Sequence, residues 1–209
     1  MNKIKIIVLS LFVFSTIVPA TGLTQCVATC QKTQVKSVLK VKQNPNINMS
    51  VSHGHCTTPF AGIVENLNVV TTKREDLGNP LEGMSISFDI DPNTFNVCAS
   101  DGLTERLKTP GLFLGENNEK MTFTSTDVYT MGLDWYQVNG QFTIKGVTKD
   151  VKFFVTGIRD PKETMPTSLV LKGELDLFDW GIDYDKIVTG KSDPVPTKTL
   201  YINMQIEMS

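Results

Sequence analysis

The chain has 209 residues, 20 basic and 22 acidic, and a formal net charge of −2. That length supports one domain with a sizeable core, and the mildly acidic balance argues against a nucleic-acid binder. No basic run marks a membrane-surface helix.

In chain order, the first element is a leader. Lys3 and Lys5 form a positive flank, Ile6 to Val18 an apolar stretch, and Val18-Pro19-Ala20 ends on a small residue suited to cleavage. The apolar stretch is 13 residues long, against the roughly 20 needed to span a bilayer. Residues 1–20 therefore read as a secretory signal peptide, and the protein as periplasmic or secreted. Leu23 suits a lipoprotein signal but Gln25 beside Cys26 does not, so lipid anchoring at Cys26 is the lesser alternative. Residues 21–34 form a tail with Cys26 and Cys30, and residues 35–209 form one domain. An even set of cysteines (Cys26, Cys30, Cys56, Cys98) in an exported chain favours disulfides, with three pairings open.

After Cys30 the pattern is β. Val35, Leu39 and Val41 share one face of a first strand, and Ile47, Met49 and Val51 alternate through a second over Asn46 to His53. Phe60 to Thr71 makes a third, followed by a polar turn from Lys73 to Pro80. Leu81 to Asp91 carries Met84, Ile86, Phe88 and Ile90 in strict alternation, and Asp101 to Lys108 reads as a helical turn. Lys120 to Tyr129 carries Met121 and Phe123. Trp135 to Lys145 and Thr148 to Gly157 form a hairpin with Val138, Phe142 and Ile144 on one face and Val151, Phe153 and Val155 on the other strand's face. Gly146 can supply the positive φ of its tight turn. Leu169 to Leu177 and Leu200 to Met208 close the chain, again in period two.

This gives roughly nine strands, several near ten residues, and no long helix. Long antiparallel strands with one apolar face need that face covered, and closing the sheet on itself does so while removing exposed edges. The expected fold class is all-β: an up-and-down antiparallel barrel of about eight to nine strands with a short helical turn. A β-sandwich is the alternative.

Val138-Asn139-Gly140-Gln141-Phe142-Thr143-Ile144-Lys145-Gly146-Val147-Thr148-Lys149 resembles the signature of the YceI-like family of bacterial exported proteins. Asp150 stands where proline is usual. Leu107 to Phe113 is similar to the family's loop ending in paired aromatics, Met121 to Thr126 to its following strand, and Asp179-Trp180-Gly181-Ile182 to its Asp-Phe-Gly-Ile. His53 fits a recurrent histidine. Leu103-Thr104 and Leu177 replace charged residues of the family pattern, so no role for those charges carries over. The resemblance covers roughly residues 35 to 208. It implies a lipocalin-like barrel that holds a long apolar molecule, typically a polyisoprenoid, in a non-enzymatic carrier or storage protein without cofactor. Its partner would be a long-chain isoprenoid or other lipid, with no nucleic acid; a homodimer stays open.

The residues expected to line such an interior are Met84, Ile86, Phe88, Phe123, Phe142, Ile144, Phe153, Val155, Leu175, Ile202, Met204 and Ile206. Alternatively, they simply fill it, since an eight-stranded barrel can be packed by its own side chains. His53 and His55 beside Cys56 could be metal ligands, but no fourth ligand is evident and neutral polar residues at a strand end are the simpler reading. Asp176, Asp179, Asp183 and Asp185 fit no calcium loop and read as a solvated face. No nucleophile elbow or phosphate-cradling glycine loop is present, and two histidines in one stretch leave few candidates for a general base. In an up-and-down order Cys30, Cys56 and Cys98 fall at one rim. Cys26 and Cys30 are therefore expected to pair with Cys56 and Cys98, tying the tail across that rim.

Overall fold

The computed structural model describes residues 45–53, 56–70, 79, 81–163, 165–190 and 198–208. Eight antiparallel strands close a barrel in which each pairs with the next in sequence and the last with the first. They are β1 (Asn46–His53), β2 (Cys56–Val70), β3 (Ser85–Ile90), β4 (Met121–Gly132), β5 (Trp135–Ile144), β6 (Val147–Ile158), β7 (Ser168–Asp176) and β8 (Thr199–Glu207). The pairing of Met49 with Ile202 and of Ile47 with Met204 closes the ring. Among the described residues, two short helices, α1 (Asp101–Leu107) and α2 (Tyr184–Thr189), and two 3-10 turns accompany it.

Alternation dictates which side chains turn inward. In β8, Leu200, Ile202, Met204 and Ile206 are buried while Tyr201, Asn203, Gln205 and Glu207 are exposed. A polar residue at every second position keeps the outer wall wet and the inner wall apolar. The β5–β6 turn is two residues long, with φ of +53° at Lys145 and +71° at Gly146. Two successive positive φ values are what a type I′ hairpin turn requires, so Gly146 meets the expectation placed on it. β2 carries a bulge between Glu65 and Asn68, where Asn66 has φ +50° and donates to Asp89 Oδ2 at 2.6 Å. The extra residue bends this long strand around the barrel.

Three strand boundaries differ from the sequence expectation. Residues 81–83 form a turn, with Glu82 N–H donating to Asn79 O, Met84 N–H donating to Leu81 O and Gly83 at φ +77°, so β3 begins only at Ser85. β2 starts at Cys56 rather than Phe60, and β4 runs on to Gly132. The leader, the tail cysteines, the strand expected at Val35 to Val41, His55 and most of the Lys73 to Pro80 turn lie outside the described residues.

The two ends of the barrel are built differently. At one end the β3–β4 and β7–β8 connections carry α1, α2 and both 3-10 turns. Ser100 caps α1 by accepting from Leu103 N–H, and Asp183 caps α2 by accepting from Lys186 N–H. Arg106 Nη1 of α1 donates to Val188 O of α2 at 2.6 Å, joining the two connections. This is the capped end. The opposite end carries the β2–β3 and β6–β7 connections and the two-residue β4–β5 turn at Leu133-Asp134.

Candidate ligand-binding interior

All twelve candidate lining residues face inward, each at most 4% exposed, and they belong to one continuous apolar cluster. From β3 come Ile86 and Phe88, preceded by Met84; β4 supplies Phe123, β5 Phe142 and Ile144, and β6 Phe153 and Val155. β7 supplies Leu175, and β8 Ile202, Met204 and Ile206. The buried polar side chains among the described residues are Thr104, Ser168 and Asp185. Of these only Ser168, at the first position of β7, belongs to a strand.

Four phenylalanines meet inside the barrel. Phe88 faces Phe123, and Phe123 faces Phe142, as direct cross-strand pairs. Ring centroids are 5.1 Å apart for Phe88–Phe123, 6.4 Å for Phe123–Phe142, 4.8 Å for Phe123–Phe153 and 6.1 Å for Phe142–Phe153. The tilted and edge-on geometries are those aromatic quadrupoles favour. Two glycines make room for them. A Cβ at Gly140 would lie 2.5 Å from Phe123 Cε2, and one at Gly173 would collide with the Phe153 ring. Phe123 and Phe153 therefore rest on bare backbone.

Sequence reasoning missed several residues that shape this interior. Phe60, Phe95 and Phe113 pack together near the capped end, with centroids 5.2 to 5.7 Å apart. Phe95 lies over Gly62 because the chain after β3 runs back along β2, with Asn96 and Ala61 exchanging backbone hydrogen bonds. Trp180 stacks edge-on against Phe142 at 6.2 Å, and its indole Nε1–H donates to Phe142 O at 3.3 Å. At the opposite end Tyr136 is fully buried, and its hydroxyl accepts from Leu81 N–H at 3.3 Å. Burial is the chief cause pushing the Tyr136 hydroxyl above its usual pKa, and the same holds for Tyr184. Interleaved glycines at 140 and 173 within apolar runs were the available signal for the ring seats.

The acidic cluster corrects its expectation. Asp176 accepts from Phe178 N–H and pairs with Lys198 at 3.2 Å, Asp183 caps α2, and Asp185 is buried at 1% exposure. Only Asp179 is fully on a solvated face. Asp176 and Asp183 start a 3-10 turn and α2 because an Asp side chain satisfies otherwise orphaned backbone N–H groups. The side chains of His53, His55 and Cys56 lie outside what is described; Cys98 precedes α1 on the segment running back along β2 towards Cys56.

Among the described residues, the outer wall carries an apolar area on β4 to β6. Tyr129, Met131, Leu133, Trp135, Phe154 and Ile158 are all exposed on β4 to β6 and their connecting turn near the end opposite the cap, Leu133 at 69%. Trp135 and Phe154 approach to 6.2 Å.

A closed eight-stranded meander with an apolar interior and helical pieces across one end defines a lipocalin-like barrel. A family model described as the YceI-like domain matches residues 32–208, and the chain belongs to that family. Its fold is similar to that of BcnA from Burkholderia cenocepacia, with a TM-score of 0.62 and 14% identity over 79% of this chain and 96% of that one. It is also similar to a YCEI protein from Campylobacter jejuni, with a TM-score of 0.50 and 14% identity over 87% of this chain and 92% of that one. At these identities the likeness is one of fold. No curated protein sequence matches the chain.

Proposed function

We propose that this protein is an exported, non-enzymatic carrier or store that holds a long apolar chain, a polyisoprenoid or similar lipid, inside its barrel. The observation that carries the reading is the single apolar cluster lining a closed barrel in a member of this family. A tail of about 20 carbons, at roughly 0.8 kcal/mol per buried CH₂, offers about 16 kcal/mol gross. Ordering and association remove much of that, and the remainder still sustains tight binding. An interior this poor in polar groups would hold a tail by burial and leave any head group at a rim. The same proposal includes export by the amino-terminal leader and a tail stapled by disulfides among Cys26, Cys30, Cys56 and Cys98, each closed loop adding roughly 2–4 kcal/mol. Non-reducing peptide mapping tests the staple, and a Cys26–Cys30 bridge would overturn it.

Native mass spectrometry of protein purified from its own host tests the central reading. The expected spectrum contains a lipid adduct that solvent extraction recovers. A lipid-free protein that takes up no prenyl alcohol from detergent would refute it. A second reading, a packed interaction module of the cell envelope, is favoured by the exposed apolar area around Leu133 and Trp135. It predicts the lipid-free spectrum.

A further inference from the structure

We propose that Phe123 and Phe153, seated on Gly140 and Gly173, form an aromatic floor that limits how far an apolar chain can penetrate, and so select for tail length. This rests on the lipid-binding reading and specifies its ligand.

The two sides of the floor differ. Toward the capped end, Met121 and Ile144 follow Phe123 and Phe142 on their strands, and Leu177 and Trp180 press in from the β7–β8 connection. The indole hydrogen bond to Phe142 O fixes that side. Toward the opposite end, Val138, Val155, Leu171, Met204 and Ile206 continue the inner wall. Partly buried Leu67, Val69, Val128, Met165 and Met208 lie there against the core, as Leu103, Ile187 and Val188 of the two helices do at the capped end. The capped end is crossed by α1, α2 and both 3-10 turns, whereas no described helix covers the opposite end, where Tyr136 is held to Leu81 N–H; the lack of a helical cover there makes that end the mouth. Methionine adapts to irregular apolar shapes, which suits a lining that must open.

Between the two sides stand the rings. Gly173 lies directly opposite Phe153 across the β6–β7 ladder, and Gly140 sits two positions from Phe142, the cross-strand partner of Phe123. With no Cβ at either glycine, each ring lies across the strand and reaches its neighbours at 4.8 to 6.4 Å. A chain entering from the mouth meets a ring surface. Below the floor the plug already fills the space. Binding therefore tightens with chain length, roughly fourfold per further buried CH₂, until the tip reaches Phe153, and then levels off.

The test measures dissociation constants of the full mature chain for geraniol, farnesol, geranylgeraniol and solanesol, with melting midpoints recorded alongside. Three proteins are compared: wild type, Phe153→Leu and Gly173→Ala. Phe153→Leu lowers the floor and should move the levelling point to a longer alcohol. Gly173→Ala forces the ring off its seat into the lumen and should move it to a shorter one. The predicted change in the ratio of long-chain to short-chain affinity is about tenfold, in opposite directions for the two variants, since only a methylene or two need shift. Because the signs are opposed, a general loss of stability cannot mimic the result. Should all three bind with one common length profile, the floor is wrong while lipid binding stands. Should wild type bind none of the alcohols, the lipid reading falls and the floor with it.

Discussion

Arg159 and Asp134 tie together the end of the barrel opposite the helical cap, and removing one of them should cost the protein a measurable part of its stability. Arg159 Nε donates to Asp134 Oδ2 at 2.7 Å, with side chains only 8% and 14% exposed. Asp134 occupies the β4–β5 turn at φ +56°, accepts from Gly157 N–H through its carbonyl and donates from its N–H to Asn79 Oδ1. Arg159 also donates to Glu163 O at 3.1 Å. The pair thus joins the hairpin tip to the β6–β7 connection. A hydrogen bond to a charged group contributes about 1.5–3 kcal/mol, and stranding one partner of a fully buried pair costs about 3–5 kcal/mol. Asp134 is 14% exposed rather than fully buried, although its Oδ1 is shielded, which places Arg159→Met at about 2–3 kcal/mol. For a chain of this size that is a fall in melting midpoint of about 4–12 °C. Urea titrations of wild type, Arg159→Met, Asp134→Asn and the double variant close a cycle, and asparagine tolerates the positive φ. The expected coupling is about 1.5–3 kcal/mol. A loss below about 0.5 kcal/mol, the range of ordinary surface changes, would show that water already solvates the pair.

Alkaline stability should follow from the buried tyrosines. Burial raises the folded-state pKa of Tyr136 and Tyr184, whereas in the unfolded chain both ionise near pH 10. Above that pH the unfolded state sheds protons the folded state keeps, so stability is intact below about pH 10 and falls as pH rises towards the folded values. Urea midpoints measured from neutral to alkaline pH should show the fall, and a Tyr136→Phe, Tyr184→Phe variant should lose part of it; identical curves would refute the assignment. Gly140→Ala should cost about 1–3 kcal/mol by overpacking, because the new methyl would meet both Phe123 and the carbonyl of Thr124 at 2.5 Å. A urea midpoint unchanged from wild type would mean that the strand yields there. Phe123→Leu in the same background should recover part of the loss.

Much of the barrel was legible because period-two alternation is a local signal. Ile47, Met49 and Val51, or Leu200 through Ile206, declare their inward face without reference to any other strand. The positive φ at Gly146 was readable for the same reason. Features set by tertiary contact were not. Nothing local says that Leu81 belongs to a turn, since its alternation with Met84, Ile86 and Phe88 is only broken by the two-residue step at Glu82-Gly83. Asp176 and Asp183 looked like a solvated cluster because a cap is recognisable only once the helix it starts is known. Each of the twelve candidate lining residues is buried, which period-two alternation could announce; Tyr136 and Trp180 were not singled out because their partners, Leu81 and Phe142, lie 55 and 38 residues away.

The energetics of the rings argue that the floor holds against a long tail and does not simply fold away. Unseating Phe153 forfeits its contacts with Phe123 and Phe142, at about 0.5–1.5 kcal/mol each beyond area burial, together with its bed on Gly173. That loss of about 1–3 kcal/mol equals the burial of only one to four methylenes, so a vacant compartment beneath would make the floor a weak barrier. The compartment beneath is occupied. Phe142 is pinned between Phe123 and a tryptophan that donates to its own carbonyl, and Phe60, Phe95 and Phe113 are interlocked beside α1. A tail advancing past Phe153 would have to displace aromatic side chains that are themselves buried. At the mouth, by contrast, Met165 and Met208 can yield towards water. Resistance to the proposed ligand would therefore rise steeply at one depth, and a step of that kind would give the proposed carrier a preferred chain length.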